Sequence, residues 1–116
     1  PLIQTPRAAK RLLNTYRLVR ASVPQSEWAA FSGDHRLDGE FRVTMLLLAA
    51  AAGYPAVARS WFAKLLVTPP AKLFEEMPAD DRGWTQFKYV YDLTFTTPPS
   101  HEIFIKWISR VERFAF

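Results

Sequence analysis

Arg7, Lys10, Arg11, Arg17 and Arg20 are the residues best placed to do chemistry in this sequence. No acid stands among them, and the remainder of the chain is close to neutral, so the net charge of +4 is a local patch. A patch of that kind meets a phosphate, a nucleic acid or an acidic protein surface. At about 100° per residue, Arg7, Lys10, Arg11, Asn14 and Arg17 share one helix face. Ala9, Leu12, Leu13, Tyr16 and Val19 take the other, which is a core-facing pattern. An arginine in the first turn of such a helix can reach an anion bound on another domain.

Other constellations are weaker. A phosphate-binding loop needs Gly-x-x-x-x-Gly-Lys-[Ser/Thr], so that backbone amides wrap the phosphates and the lysine reaches them. None of Gly33, Gly39, Gly53 and Gly83 has that spacing or a following lysine. Ser32, Asp34 and His35 supply the residue types of a Ser-His-Asp site, but such triads assemble across a fold, and adjacency reads as a solvated loop. His35 and His101 lack the local partner spacing of metal ligands, so no metal site is expected. Glu75, Glu76, Asp80 and Asp81 form an acidic cluster without a calcium-loop pattern. Trp28, Trp61, Trp84 and Trp107 sit at helical spacing with other apolar residues and read as core rather than as base-stacking platforms. No catalytic residue is expected in this chain.

The elements that must position the basic face read as an all-α fold, a compact bundle of roughly five to six helices in a single domain spanning residues 1–116. Apolar residues make up 49% and aromatics 15%, which argues against disorder. There are no cysteines, so disulfides and cysteine-based zinc sites are excluded. Thr5 caps and Pro6 opens helix one, which runs to Ala21 before Pro24. Ser26 caps a short turn through Glu27, Trp28 and Phe31. A central helix from Glu40 to Ala52 is apolar almost all round. Gly53 ends it, and Pro55 starts a helix to Val67 that buries Val57, Trp61 and Leu65. A short turn covers Lys72 to Met77. The segment from Trp84 to Leu93 matches helical spacing, although its aromatic content would also suit a strand. Ser100 caps a last helix that buries Ile103, Trp107 and Val111, and the Arg113–Phe116 tail packs back on the domain. The longest apolar run, Met45 to Ala52, is far short of the ~20 residues that cross a bilayer. No signal segment opens the chain, and a cytoplasmic location is expected. A sequence that starts at Pro1 on a helix cap is expected to be a piece of something longer.

The segment Pro6-Arg7-Ala8-Ala9-Lys10-Arg11-Leu12-Leu13-Asn14-Thr15-Tyr16-Arg17 resembles the helix that opens the C-terminal helical lid of KAP-type P-loop NTPases and related bacterial ATPases of the signal-transduction class. Leu12 stands where those proteins usually have Phe. The closing Val111-Glu112-Arg113-Phe114-Ala115-Phe116 is similar to the end of some of these chains. The resemblance implies a non-catalytic lid or regulatory domain, C-terminal to a nucleotide-binding domain of the same polypeptide. ATP and Mg would belong to that upstream domain, and no cofactor to this one. It implies that Arg7 senses the nucleotide and that Lys10 and Arg11, one turn on, contact the core or the phosphates.

A planar guanidinium suits a γ-phosphate better than an ammonium does. Contact with triphosphate but not diphosphate would make a two-state switch. Asn14, Arg17 and Arg20 remain as an interaction surface. Two rival readings use the same residues. One is a stand-alone nucleic-acid-binding domain, marked by steep salt dependence. The other is a protein-interaction module, with an acidic partner or self-association.

Overall fold

Thr5 and Pro6 begin the first helix as their chemistry requires. The Thr5 hydroxyl accepts the Ala8 N–H at 3.0 Å, and Pro6 occupies a position whose amide has no intrahelical partner. The computed structural model of this chain describes residues 5–33, 39–76, 82–95 and 99–115. Helix α1 is Pro6–Ala21; a 3₁₀ turn, Gln25–Glu27, leads into the short α2, Trp28–Ser32. Then follow α3 (Phe41–Gly53), α4 (Pro55–Val67), α5 (Pro70–Glu76), α6 (Arg82–Thr94) and α7 (His101–Ala115). The fold is all-α, with no strand among the described residues. The described residues form seven α-helices rather than five or six, because α2 and α5 are complete short helices. The segment around Trp84–Leu93 is helical, with Trp84, Phe87 and Tyr91 on its buried side.

Helix α3 is the axis of the bundle. Val43, Leu46, Leu47, Leu48, Ala50, Ala51 and Ala52 are all buried, and α1, α4, α6 and α7 pack around it. A side chain such as Leu47, fully enclosed here, contributes about 1.5–3 kcal/mol by leaving water. Alanines on its last turns let α1 and α7 approach closely. A single residue, Tyr54, separates α3 from α4, so the two helices pack on each other as a tight hairpin. The Cα radius of gyration is 13.5 Å, close to the ~13 Å of a hundred-residue domain.

Aromatic rings fill the two ends of the core. At one end Trp61, Phe74, Trp84, Phe87 and Tyr91 meet at centroid distances of 4.9–6.2 Å, many of them tilted or edge-on. At the other, Phe31 touches Tyr16, Trp28, Phe41 and Trp107. Edge-on and offset contacts of this kind add about 0.5–1.5 kcal/mol per pair beyond burial.

Three expectations about the helices need correction. Leu13 is 51% exposed, not buried, because it lies about 130° around α1 from the centre of the buried stripe Ala8, Leu12, Thr15 and Val19. Val57 is exposed for the same reason; Ala58, Trp61, Phe62 and Leu65 form the buried side of α4. Ser26 does not cap the turn after Pro24, since it lies inside the 3₁₀ turn. Asp34, His35, Met77, Asp80, Asp81 and Phe116 lie outside the described residues. Ser32 is exposed, as are Glu75 and Glu76.

Two glycines shape the entry to α3. Gly33 ends α2 at φ 75°, a left-handed conformation that costs a side-chain-bearing residue. Gly39 is pressed against the end of α2: a Cβ there would stand 2.6 Å from the Phe31 carbonyl oxygen and from the Ser32 carbonyl carbon. Neither backbone atom can move without unseating α2. Gly39→Ala is therefore expected to lower stability by about 1–3 kcal/mol, read as a shift in urea midpoint at unchanged slope.

Candidate functional site

The basic face is built by the first helix. Ala8, Leu12, Thr15 and Val19 hold α1 against the bundle, which turns Arg7, Lys10, Arg11, Asn14, Arg17 and Arg20 outward, all six exposed. Arg7 lies in the first turn, at the positive end of the helix dipole, with no acid in that turn to balance it. Lys10 and Arg11 lie one turn on. Arg11 borders a small crevice against Ala51 and Ala52 of α3 and Ala115 of α7. These are the C-terminal turns of both helices, where unpaired carbonyls favour a cation. Arg7, Lys10, Arg11 and Arg17 make no ion pair among the described residues. Arg20 differs: its guanidinium lies 5.5 Å above the Trp28 ring.

The cations of α7 are used otherwise. Lys106 Nζ lies 2.8 Å from Glu27 Oε1 and 3.0 Å from Glu40 Oε1. Arg110 Nη2 donates to both Glu27 oxygens, at 3.1 and 3.0 Å. Between them the buried Trp107 donates its indole N–H to Glu40 at 2.7 Å. Lys106 and Arg110 also flank the Trp107 ring, at 5.2 and 4.8 Å from its centre. This network ties α7 to the 3₁₀ turn and to the start of α3, and it explains why Glu40 does not cap α3 with its side chain. Sequence reading missed it, since Glu27 and Glu40 come from segments far from α7. The one local signal is Lys106 and Arg110 spaced one turn apart around a core tryptophan.

Hydrogen bonds from Lys106 and Arg110 hold the Glu27 carboxyl below the ordinary carboxylate value, against a smaller opposing effect of burial. For Lys106, desolvation pulls the ammonium down, but hydrogen bonds to Glu27 and Glu40 outweigh it and leave it raised. A carboxyl lowered on folding contributes stability that is complete above its unfolded value and lost as pH falls through the folded one. Thermal midpoints should therefore drop from about pH 5 downward. Glu27→Gln should flatten that acid limb, and an unchanged limb would show that Glu27 is not its source.

Among the described residues, no group of three His, Cys, Asp or Glu could hold a metal ion. His101 pairs instead through Nε2 with the Leu65 carbonyl, which ties α7 to α4. Trp61, Trp84 and Trp107 are buried, and only Trp28 shows part of its ring to solvent. No described helix is long and apolar enough to cross a membrane. No protein-family model, curated protein or solved structure matches this chain.

Proposed function

We propose that this domain is the non-catalytic helical lid of a bacterial cytoplasmic P-loop ATPase and reads nucleotide state through the basic face of α1. The observation that supports it is the division of labour among the cations. Lys106 and Arg110 are engaged inside the domain by Glu27 and Glu40. Arg7, Lys10 and Arg11 stand outside it, exposed and without an ion pair among the described residues. They also follow the Pro-Arg-x-x-Lys-Arg pattern of the lid helix that this segment resembles.

In this reading the upstream domain of the same polypeptide binds ATP and Mg. Arg7 projects from a rigid, capped first turn and offers a two-pronged donor to the terminal phosphate. Loss of that phosphate removes the contact and frees the lid, so the nucleotide changes the lid's position through a contact made in one state only. Lys10 and Arg11 steady the docked position. Asn14, Arg17 and Arg20 face a further surface.

The test is the native polypeptide that carries this segment. The reading requires Gly-x-x-x-x-Gly-Lys-[Ser/Thr] upstream of Pro6 and ATP hydrolysis by the intact protein. A native polypeptide with no such loop overturns it. Binding of the domain to DNA or RNA with a steep loss of affinity in salt would then assign the same face to nucleic acid.

A further inference from the structure

Where α1 passes α2 and the start of α3, Tyr16, Arg20, Trp28, Phe31, Ser32 and Phe41 line a groove of about 270 Å³. Buried Phe31 forms its floor, with the Tyr16, Trp28 and Phe41 rings around it at 6.4, 6.0 and 6.3 Å. These three rings are only half-buried, so each keeps an open edge or face. Exposed Arg20 stands at the rim. Arg17, also exposed, is three residues back on the same side of α1, and exposed Leu13 continues the strip. No acid lines the groove among the described residues. Of the described carboxylates, Glu27 and Glu40, on the segments that carry Trp28 and Phe41, are paired with Lys106 and Arg110.

We propose that this groove is a docking site for an acidic segment of a partner protein that inserts one bulky apolar side chain, preferably aromatic, between Tyr16, Trp28 and Phe41. The aromatic walls favour a ring in offset or edge-on contact. The volume lies just below the ~300–1,000 Å³ of small-molecule pockets, and one side is open, which suits a single side chain carried on a passing strand of peptide. Carboxylates flanking that anchor would meet Arg20 and Arg17, neither of which is ion-paired among the described residues. A cationic ligand is disfavoured because Arg20 already covers the Trp28 face. A nucleic-acid strand stacks successive bases on a platform, whereas this recess admits one group. The site does not depend on the lid reading, because its lining lies within α1, α2 and the first residue of α3.

The experiment uses the 116-residue chain and short acetylated peptides in which one Phe is set among Asp and Glu. The expected result is saturable binding, with amide and indole shifts centred on Trp28, Phe31 and Ser32. Arg20→Glu should weaken it about tenfold or more, and Lys72→Glu, exposed on α5, should leave it unchanged. A peptide with Ala in place of Phe should bind far more weakly. Arg20 is exposed, so its variant keeps the fold and the comparison stays interpretable. No shift at millimolar peptide, or equal binding of the Ala peptide, overturns the proposal. So does a homodimer that Arg20→Glu dissociates, which would put a second copy in the groove. Tighter binding of oligothymidylate at the same residues would overturn it in favour of nucleic acid.

Discussion

Trp107→Ala is expected to lower the unfolding free energy by about 3–5 kcal/mol, a large share of the ~5–15 kcal/mol that holds an ordinary domain folded. Trp107 is fully enclosed on α7, with the Phe31 ring 5.3 Å away. Its removal leaves a cavity beside the Phe31 ring of α2, which the surrounding helices cannot fully close. It also takes a hydrogen-bond donor from Glu40 and the ring that Lys106 and Arg110 flank. A half-buried carboxylate that loses a donor costs more than the bond itself contributed. Trp107→Phe is milder: it keeps a six-membered aromatic ring in the core and loses the pyrrole part of the indole with its N–H, so about 1–3 kcal/mol should go. Urea unfolding followed by far-UV circular dichroism measures both, and a loss under about 1 kcal/mol for Trp107→Ala would contradict this account of the core.

The second large effect falls on activity rather than on folding. On the lid reading, Arg7→Ala made in the intact polypeptide is expected to weaken nucleotide-dependent activity about tenfold to a hundredfold, the scale of one lost charge-assisted contact to the terminal phosphate. Its effect on the stability of the helical domain should be within about 0.5 kcal/mol, because Arg7 is exposed and alanine is a better helix former. Arg7→Lys should recover little, since an ammonium keeps the charge but not the planar pair of donors. Full activity in Arg7→Ala would remove Arg7 from the mechanism even if the rest of the lid reading stood.

The helices were legible because their start signals are local. Thr5-Pro6, Pro55 and Ser100 mark starts by chemistry that acts within a single turn, and the structure begins helices at or beside each of them. The aromatic run from Trp84 was harder, since rings suit strands as well as helices. Its spacing decided the matter, with Trp84, Phe87 and Tyr91 falling on one side. Leu13 shows the limit of reading one helix alone. A leucine beside Leu12 looks like core until the neighbouring helices fix where the centre of the buried side lies.

The basic face was legible for the same local reason: α1's own periodicity sets it. The groove and the Glu27–Lys106–Arg110–Glu40 network were not. Each joins segments that only the fold brings together, α1 with α2 and α3 in one case, and α7 with two earlier segments in the other.

The most direct test of the lid account is amide hydrogen exchange in the first turn of α1, measured in the intact polypeptide with a non-hydrolysable ATP analogue and with ADP. The account predicts slower exchange across Arg7–Arg11 with the triphosphate, by about tenfold or more, and loss of that difference in Arg7→Ala. Identical exchange in the two nucleotide states would contradict it.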